Sequence, residues 1–341
     1  MTTPPTSPAR LALVGAGLIG TDVHLPRLVR RTDVEVVAIV DADADRARAV
    51  AERFGVPRHT TDLDAVLDDA GVDVIDLCTP PTLHRPQVHA ALDAGKDVIL
   101  EKPLATTFED ATAVAARAAA SPERTMMVAE NWVYSSAGSA LRSLVEDGAL
   151  GDIQLWSSRH ESDHRLPKGG QPGWNYDLRG SGGGYLMQAG THAVSLGRSL
   201  FGEIEWVDAT SPQASGDGDP FLDHELAAVV GFRSGVIGSL TLTGRSHRAG
   251  ARVLRQAVFG TDGTVDADIL SGEVTVAGLR FEPPGEVSMG FDEEFDHFLA
   301  CRRDGRTPRT SAADQLETLR TVTAMYRSAA TGARVTVGSI A

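Results

Sequence analysis

Leu11-Ala12-Leu13-Val14-Gly15-Ala16-Gly17-Leu18-Ile19-Gly20 is an apolar run that breaks into three glycines and then into a helix-like segment. An apolar run of this kind, short and without alternation, reads as a strand buried on both faces. Gly15 permits the tight turn that follows it, Gly17 keeps the backbone bare for close approach by a phosphate, and Gly20 allows close packing of helix on strand. The opening helix then directs its N-terminus at negative charge. A second apolar run, Val34–Val40, ends in Asp41, which lies 21 residues past Gly20. An acid at that place accepts from the ribose hydroxyls of an adenosine. Strand, glycine turn, helix, strand and acid together predict a dinucleotide site made of Gly15, Gly17, Leu18, Ile19, Gly20 and Asp41. A carboxylate there repels a 2′-phosphate and so favours NAD, while Arg46 and Arg48 nearby leave NADP open.

Outward from this unit the same alternation continues. Apolar runs at Val72–Leu77, Val98–Leu100 and Met126–Val128 are separated by helical patterns at Asp43–Phe54, Leu63–Asp69, Leu83–Ala94 and Phe108–Ala120. That repetition predicts an α/β fold with a doubly wound parallel sheet, the Rossmann arrangement. The first helix should run from Leu18 to Arg31, with a kink or early end at Pro26. Past about Ala129 the pattern changes. One helix is expected at Ala137–Asp147, then strands at Ile153–Arg159, Ala227–Phe232, Val236–Thr243, Arg255–Phe259 and Glu273–Val276, with polar turns between them. This predicts an α+β domain with an open, mainly antiparallel sheet. Ser211–Pro220 reads as an exposed loop, and Ser311–Ala330 as a long helix carrying Leu316, Leu319, Val322, Met325 and Tyr326 at helical spacing. The expected division is a disordered tail over residues 1–9, a dinucleotide domain over 10–130 and a substrate and oligomerisation domain over 131–341, the last helix packing back near the first domain.

The 341 residues, 42% hydrophobic and 23% charged, are enough for two buried cores. A net charge of −14 with no basic stripe argues against nucleic acid as a partner. Two distant cysteines, Cys78 and Cys301, do not make a disulfide framework and suit a reducing cytoplasm. No signal core and no membrane-spanning stretch is seen in the sequence.

Three further motifs carry a resemblance. Thr79-Pro80-Pro81-Thr82-Leu83-His84, Ala94-Gly95-Lys96-Asp97-Val98-Ile99-Leu100-Glu101-Lys102-Pro103 and Gly182-Gly183-Gly184-Tyr185-Leu186-Met187-Gln188-Ala189-Gly190-Thr191-His192 occur in that order, with Gly260-Thr261-Asp262-Gly263 and Tyr326-Arg327-Ser328-Ala329 behind them. From about Leu11 to Val337 the chain resembles the glucose–fructose oxidoreductase/inositol dehydrogenase/rhizopine catabolism (Gfo/Idh/MocA) family. The resemblance implies a Rossmann domain followed by an open sheet domain, and a homodimer or homotetramer formed through that sheet. It implies an NAD(P)-dependent oxidoreductase that moves hydride to or from a hydroxyl or keto group of a sugar, cyclitol or related metabolite. A ketoreductase on a nucleotide-linked or amino sugar, and a non-catalytic dinucleotide sensor, are the alternatives.

The residues fit such chemistry by themselves. Lys102 follows a strand, so it stands at the edge where ligands of open α/β sheets bind, and its ammonium suits an oxygen gaining negative charge. His192 suits exchange of the hydroxyl proton. Many family members carry Asp where this chain has Gln188, and an amide cannot stabilise an imidazolium by charge. Gln188 completes the catalytic set as a hydrogen-bonding partner, and Ser195 is a second departure, read as structural. Thr79, Pro80, His84, Glu101, Lys102 and Asn131 are expected to border the dinucleotide, and Lys102, Trp174, Tyr176, Gln188 and His192 the substrate. Trp132, beside Asn131, is placed near the nicotinamide, and Cys78 is read as an inert buried thiol. His160-Glu161-Ser162-Asp163-His164 has the spelling of a zinc-protease motif, but it follows a strand. Residues four apart on an extended chain lie roughly 13 Å from each other, too far to share one ion. No metal is expected. The loop Arg159–Lys168, with Arg159, Arg165 and Lys168, is set between a pocket lining that meets a phosphate or carboxylate and a solvated loop.

Overall fold

The computed structural model describes residues 7–163, 173–214, 218–246, 252–277, 279–281 and 286–341. Its first sheet is built from β1 (Ala9–Val14), β2 (Val34–Val40), β3 (His59–Thr60), β4 (Val74–Leu77), β5 (Asp97–Glu101) and β6 (Met126–Ala129). Every residue of β4, β5 and β6 is buried, as in strands covered on both faces. The order is β3-β2-β1-β4-β5-β6 and all neighbours run parallel. Winding reverses between β1 and β4, so their carboxyl ends flank the crevice where such sheets hold ligands.

Between the strands run α1 (Leu25–Leu28), α2 (Ala44–Phe54), α3 (Asp64–Leu67), α4 (His84–Asp93) and α5 (Phe108–Ala119). The first helical segment is not the single helix expected. Gly20–His24 forms a wide π-helical turn, and α1 is only Leu25–Leu28, with Pro26 in its first turn. Proline has no N–H for an interior bond but is tolerated in a first turn, so the helix restarts there. Asp43 caps α2 by accepting from the backbone N–H groups of Asp45 and Arg46, and left-handed Gly55 ends it.

Downstream lie α6 (Ser136–Glu146), β7 (Ile153–Glu161), α7 (Leu178–Ser181), α8 (Thr191–Phe201), β8 (Ile204–Thr210), β9 (Glu225–Phe232), β10 (Ile237–Thr243), β11 (Val253–Gly260), β12 (Thr264–Asp268), β13 (Val274–Val276) and β14 (Leu279–Phe281). Then come α9 (Phe291–Asp304), α10 (Ala312–Thr331) and β15 (Val335–Thr336). The second sheet has the order β14-β13-β12-β11-β7-β10-β9-β8-β15. Every neighbouring pair is antiparallel except β7 with β10. Burial alternates along β9, β10 and β11, so one face is covered and the other is open. On the covered face, the Trp156 ring lies where a Cβ on Gly197 of α8 would be, so α8 packs directly on β7.

The chain divides into two units. The first comprises Met1–Ala105, Asp110–Ala129 and Phe295–Ala313, and the second Thr106–Glu109, Glu130–Glu294 and Asp314–Ala341. Within the first unit the returning segment covers the edge strand β6. The Val128 N–H donates to the Thr310 carbonyl at 2.8 Å, and the Thr310 hydroxyl donates to the Val128 carbonyl at 2.7 Å. The Arg302 guanidinium donates to Asp97 at 2.7 Å.

Candidate active site

In the first unit, the predicted residues gather at the carboxyl ends of β1, β2, β4 and β5. Gly15 has φ 97°, and a Cβ there would come within 2.7 Å of the Cys78 backbone, so only glycine fits beside the β4 end. Around the place of a Cβ on Gly17 there is open space, and the Leu18 side chain beside it is 73% exposed. Asp41 is buried and does more than the sequence suggested. Its carboxylate accepts from the Ala16 N–H at 2.8 Å, the Asp43 N–H at 2.9 Å and the Arg46 guanidinium at 2.6 Å. Burial pushes this carboxyl up, but the bonds from Arg46 and the two backbone groups outweigh it and hold it below the usual carboxylate range. The bond to Ala16 fixes the glycine turn. A bare, rigid turn with an anionic acceptor at the end of β2 fits a dinucleotide.

Thr79 and Pro80 follow β4, Glu101 ends β5, and Lys102 comes next in a cis peptide with Pro103. His84 is wholly buried, its ring nitrogens 2.9 Å from the Pro103 carbonyl and 3.0 Å from that of Thr79. It therefore seats the Thr79 and Pro103 loops from beneath. Burial pushes its ring down, against the pull of the two carbonyls, and a neutral ring donates to only one of them.

Below Lys102 lies a buried set that the sequence did not join. Glu101 accepts from the Lys102 N–H at 3.0 Å and lies 3.1 Å from His24 Nε2. His24 Nδ1 lies 2.8 Å from Asp76 and 3.4 Å from the Cys78 sulfur. Burial opposes charge on His24, but Asp76 and Cys78 raise it well above the ordinary histidine value. Burial pushes the Cys78 thiol up to about 12. His24, Asp76 and Cys78 are close enough to surround an ion, yet a protonated ring and a thiol are poor ligands. The set is a hydrogen-bonded support for Glu101.

In the second unit, close packing requires the glycine run. A Cβ on Gly182 would strike the Thr106 backbone, one on Gly183 the Tyr326 ring, and one on Gly184 the Asp223 backbone. The Tyr326 hydroxyl donates to Asp223 at 2.7 Å, and the Gly184 and Leu186 N–H groups donate to the same carboxyl. The run leads into a π-helical turn, Leu186–Gly190, and then α8. Gln188 and His192 thus come one turn apart. Gln188 donates its amide to the Asn175 carbonyl, which ties it to the turn of Trp174 and Tyr176. Trp174 is exposed and Tyr176 half-buried. Ser195 accepts from Gln315 at 2.9 Å and is buried.

His192 has an unexpected partner. Its Nδ1 pairs with Glu130, which is completely buried. The Trp132 ring stacks on His192, with centroids 5.1 Å apart and planes 11° from parallel. Asn131 donates to the Met289 carbonyl at 2.7 Å. His160 is buried in β7 with neither ring nitrogen bonded among the described residues, and its ring lies 4.5 Å from that of Trp132. Burial pushes its ring down to about 3. His164, Arg165 and Lys168, together with residues 215–217 of the expected loop, lie outside the described residues. Arg159 does not reach out from a loop: it belongs to β7 and pairs with Glu161.

The profile of the Gfo/Idh/MocA oxidoreductase family's NAD-binding Rossmann fold matches residues 9–129, and the profile of that family's C-terminal domain matches residues 139–266. A levoglucosan dehydrogenase of Pseudarthrobacter phenanthrenivorans is 28% identical over 248 residues, which cover 67% of this chain and 63% of that protein. A D-apiose dehydrogenase of Paraburkholderia graminis is 27% identical over 350 residues, covering 96% of this chain and 90% of that one. Among solved structures, levoglucosan dehydrogenase in complex with NADH and L-sorbose has a TM-score of 0.88, with 97% of this chain and 99% of that chain covered at 24% identity. The two matched profiles follow one another along the chain and together span most of it: the chain belongs to the Gfo/Idh/MocA family of oxidoreductases.

Proposed function

We propose that the protein is an NAD-preferring dehydrogenase that moves hydride between a nicotinamide dinucleotide and a hydroxyl or keto group of a sugar, cyclitol or related metabolite. One observation carries this reading: Lys102 follows β5 on the same sheet edge as the glycine turn and Asp41. The dinucleotide, when bound, accepts or supplies the hydride. Gly15, Gly17, Leu18, Ile19, Gly20, Asp41, Thr79 and Pro80 hold it, with Glu101 fixing the backbone of Lys102, His84 seating the loops below, and Asn131 bordering the nicotinamide. Lys102 donates to the substrate oxygen as charge develops there. His192 takes the hydroxyl proton in oxidation and returns it in reduction. Trp174 and Tyr176 offer aromatic faces to a sugar ring, and Gln188 fixes their turn. Sugar substrates are favoured because the relatives named above are dehydrogenases of levoglucosan and D-apiose.

NAD is favoured over NADP because Asp41 stays ionised and already holds Arg46, the cation nearest to hand for a 2′-phosphate. Assembly into a homodimer or homotetramer is supported by the open face of the second sheet, where Leu155, Val229, Ile237 and Phe259 are exposed. A cytoplasmic setting is supported by the unpaired state of Cys78 and Cys301. Among the described residues no helix is long and apolar enough to cross a membrane.

The test is a panel of aldoses, anhydrosugars, cyclitols and keto-sugars assayed with NAD, NADH, NADP and NADPH, following absorbance of the reduced cofactor. Turnover of at least one carbohydrate in either direction is expected. Tight NADH binding without turnover across the panel would overturn the catalytic reading.

A further inference from the structure

The family's usual carboxylate partner for the histidine is missing at position 188, where this chain has an amide that donates to the Asn175 carbonyl. A carboxylate is nevertheless on the ring. Glu130 follows β6 directly, at the entry to the short turn Asn131–Tyr134. It is completely buried, one oxygen meets His192 Nδ1, and the other has no hydrogen-bond partner among the described residues. A buried carboxylate with an oxygen unpaired costs free energy unless a cation or strong donor meets it. Among the described residues, the other groups that face the ring do not supply one. Trp132 lies flat against it, Gln188 donates to the Asn175 carbonyl, and His160, its ring tilted against that of Trp132, is held neutral by burial. Arg252 acts on His160 only through its charge.

We propose that Glu130 has taken over the part of the family's aspartate: it is the positioning residue that orients His192, fixes its proton on Nδ1 and carries the countercharge when the ring is doubly protonated. With Nδ1 on the carboxylate, Nε2 is the nitrogen left to exchange the substrate proton. The carboxylate comes from the end of a strand, 62 residues away in sequence, where the family's comes from one helical turn before the histidine. Trp132 fixes the plane of the ring while Glu130 fixes its rotation in that plane. The inference rests on His192 being the proton carrier.

The test compares wild type, Glu130→Gln, Gln188→Asp, the double variant and His192→Ala, each assayed for kcat, KM and NADH binding on a carbohydrate found in the panel. Glu130→Gln should lower kcat by about 10²-fold, the low end of what losing acid–base catalysis costs. KM and NADH affinity should stay within a few-fold. Gln188→Asp alone should be no faster than wild type, but added to Glu130→Gln it should regain at least about tenfold, because it returns a carboxylate to the ring by the family's route. A merely structural Glu130 would give no such rescue. Should Glu130→Gln not fold, Glu130→Asp serves: it keeps the charge but shortens the reach, and kcat should fall with KM unchanged. Near wild-type kcat in Glu130→Gln, no gain in the double variant over Glu130→Gln, or unchanged kcat in Glu130→Asp would each overturn the proposal. His192→Ala separates the two readings. If it keeps the wild-type rate, the proton-carrier role itself fails.

Discussion

At the scale of single residues, His160 shows what burial does to a titratable group with nothing to bond. In the fold its ring takes a proton only at about 3, because burial disfavours the charge, whereas an unfolded chain takes one near 6.5. The folded state therefore binds fewer protons below that value. The associated stability is intact above about pH 6.5 and is lost as pH falls toward 3. At about pH 5 the loss is on the order of 2 kcal/mol. His160→Phe should remove it, so urea unfolding from about pH 7.5 to about pH 5 should show a smaller fall in stability for the variant than for wild type. An equal fall in both would show that the ring is not buried neutral. Lys102 makes the complementary case. Lys102→Ala should lower turnover by about 10²–10³, as for loss of one oxyanion donor, while NADH affinity by calorimetry changes a few-fold at most. A variant near the wild-type rate would remove Lys102 from the chemistry. The two residues differ in legibility. Lys102 was readable because a strand and a glycine turn announced its edge. The Glu130–His192 pair was not, because no local pattern links residues 62 apart and only the fold brings them together. The same holds for His24, Asp76 and Glu101, which come from three separate segments.

At the scale of elements, the β2–α2 connection sets cofactor choice. Asp41 there anchors Ala16 and Arg46 at once. NAD(H) should bind more tightly than NADP(H) in calorimetric titration, and Asp41→Ser should narrow the gap by releasing Arg46 toward a 2′-phosphate. Equal or tighter NADP(H) binding by wild type would sink this. The same variant should also weaken NAD(H), since the glycine turn loses its anchor at the Ala16 N–H. Legibility varied by element for physical reasons. β2 matches its expected span, Val34–Val40, because burial on both faces leaves an apolar run interrupted only by the exposed Glu35 near its start. β8 and β12 were passed over because Glu205, Asp208 and Asp266 face outward and make the strands read as polar. α8 was hidden by Thr191, His192, Ser195 and Gly197, poor helix formers that tertiary packing overrides. α9 was legible and missed: Phe295, Phe298 and Cys301 recur at helical spacing, with acids in the first turn and arginines in the last.

At the scale of the whole molecule, the first unit is sequence-discontinuous. Phe295–Ala313 supplies the partner of Val128, the Arg302 bond to Asp97, and a Phe295 ring set edge-on to His24 at 5.1 Å. A fragment ending at Ala129 should therefore unfold at lower urea than one in which residues 291–313 are joined to it by a flexible linker, and it should bind NADH more weakly. Equal midpoints and equal affinities would show that the segment is dispensable. For the chain emerging from a ribosome, the consequence is one of timing. About 180 residues separate Ala129 from Ala313, and at ordinary rates of translation they take about 10–40 s to appear. Through that interval β6 has an unsatisfied edge and the His24 set lacks its aromatic cover, so the half of the protein made first is among the last to be finished. A pause or a premature stop before Ala313 leaves a nucleotide-binding sheet with a sticky margin, a substrate for chaperones and proteases before it is ever an enzyme.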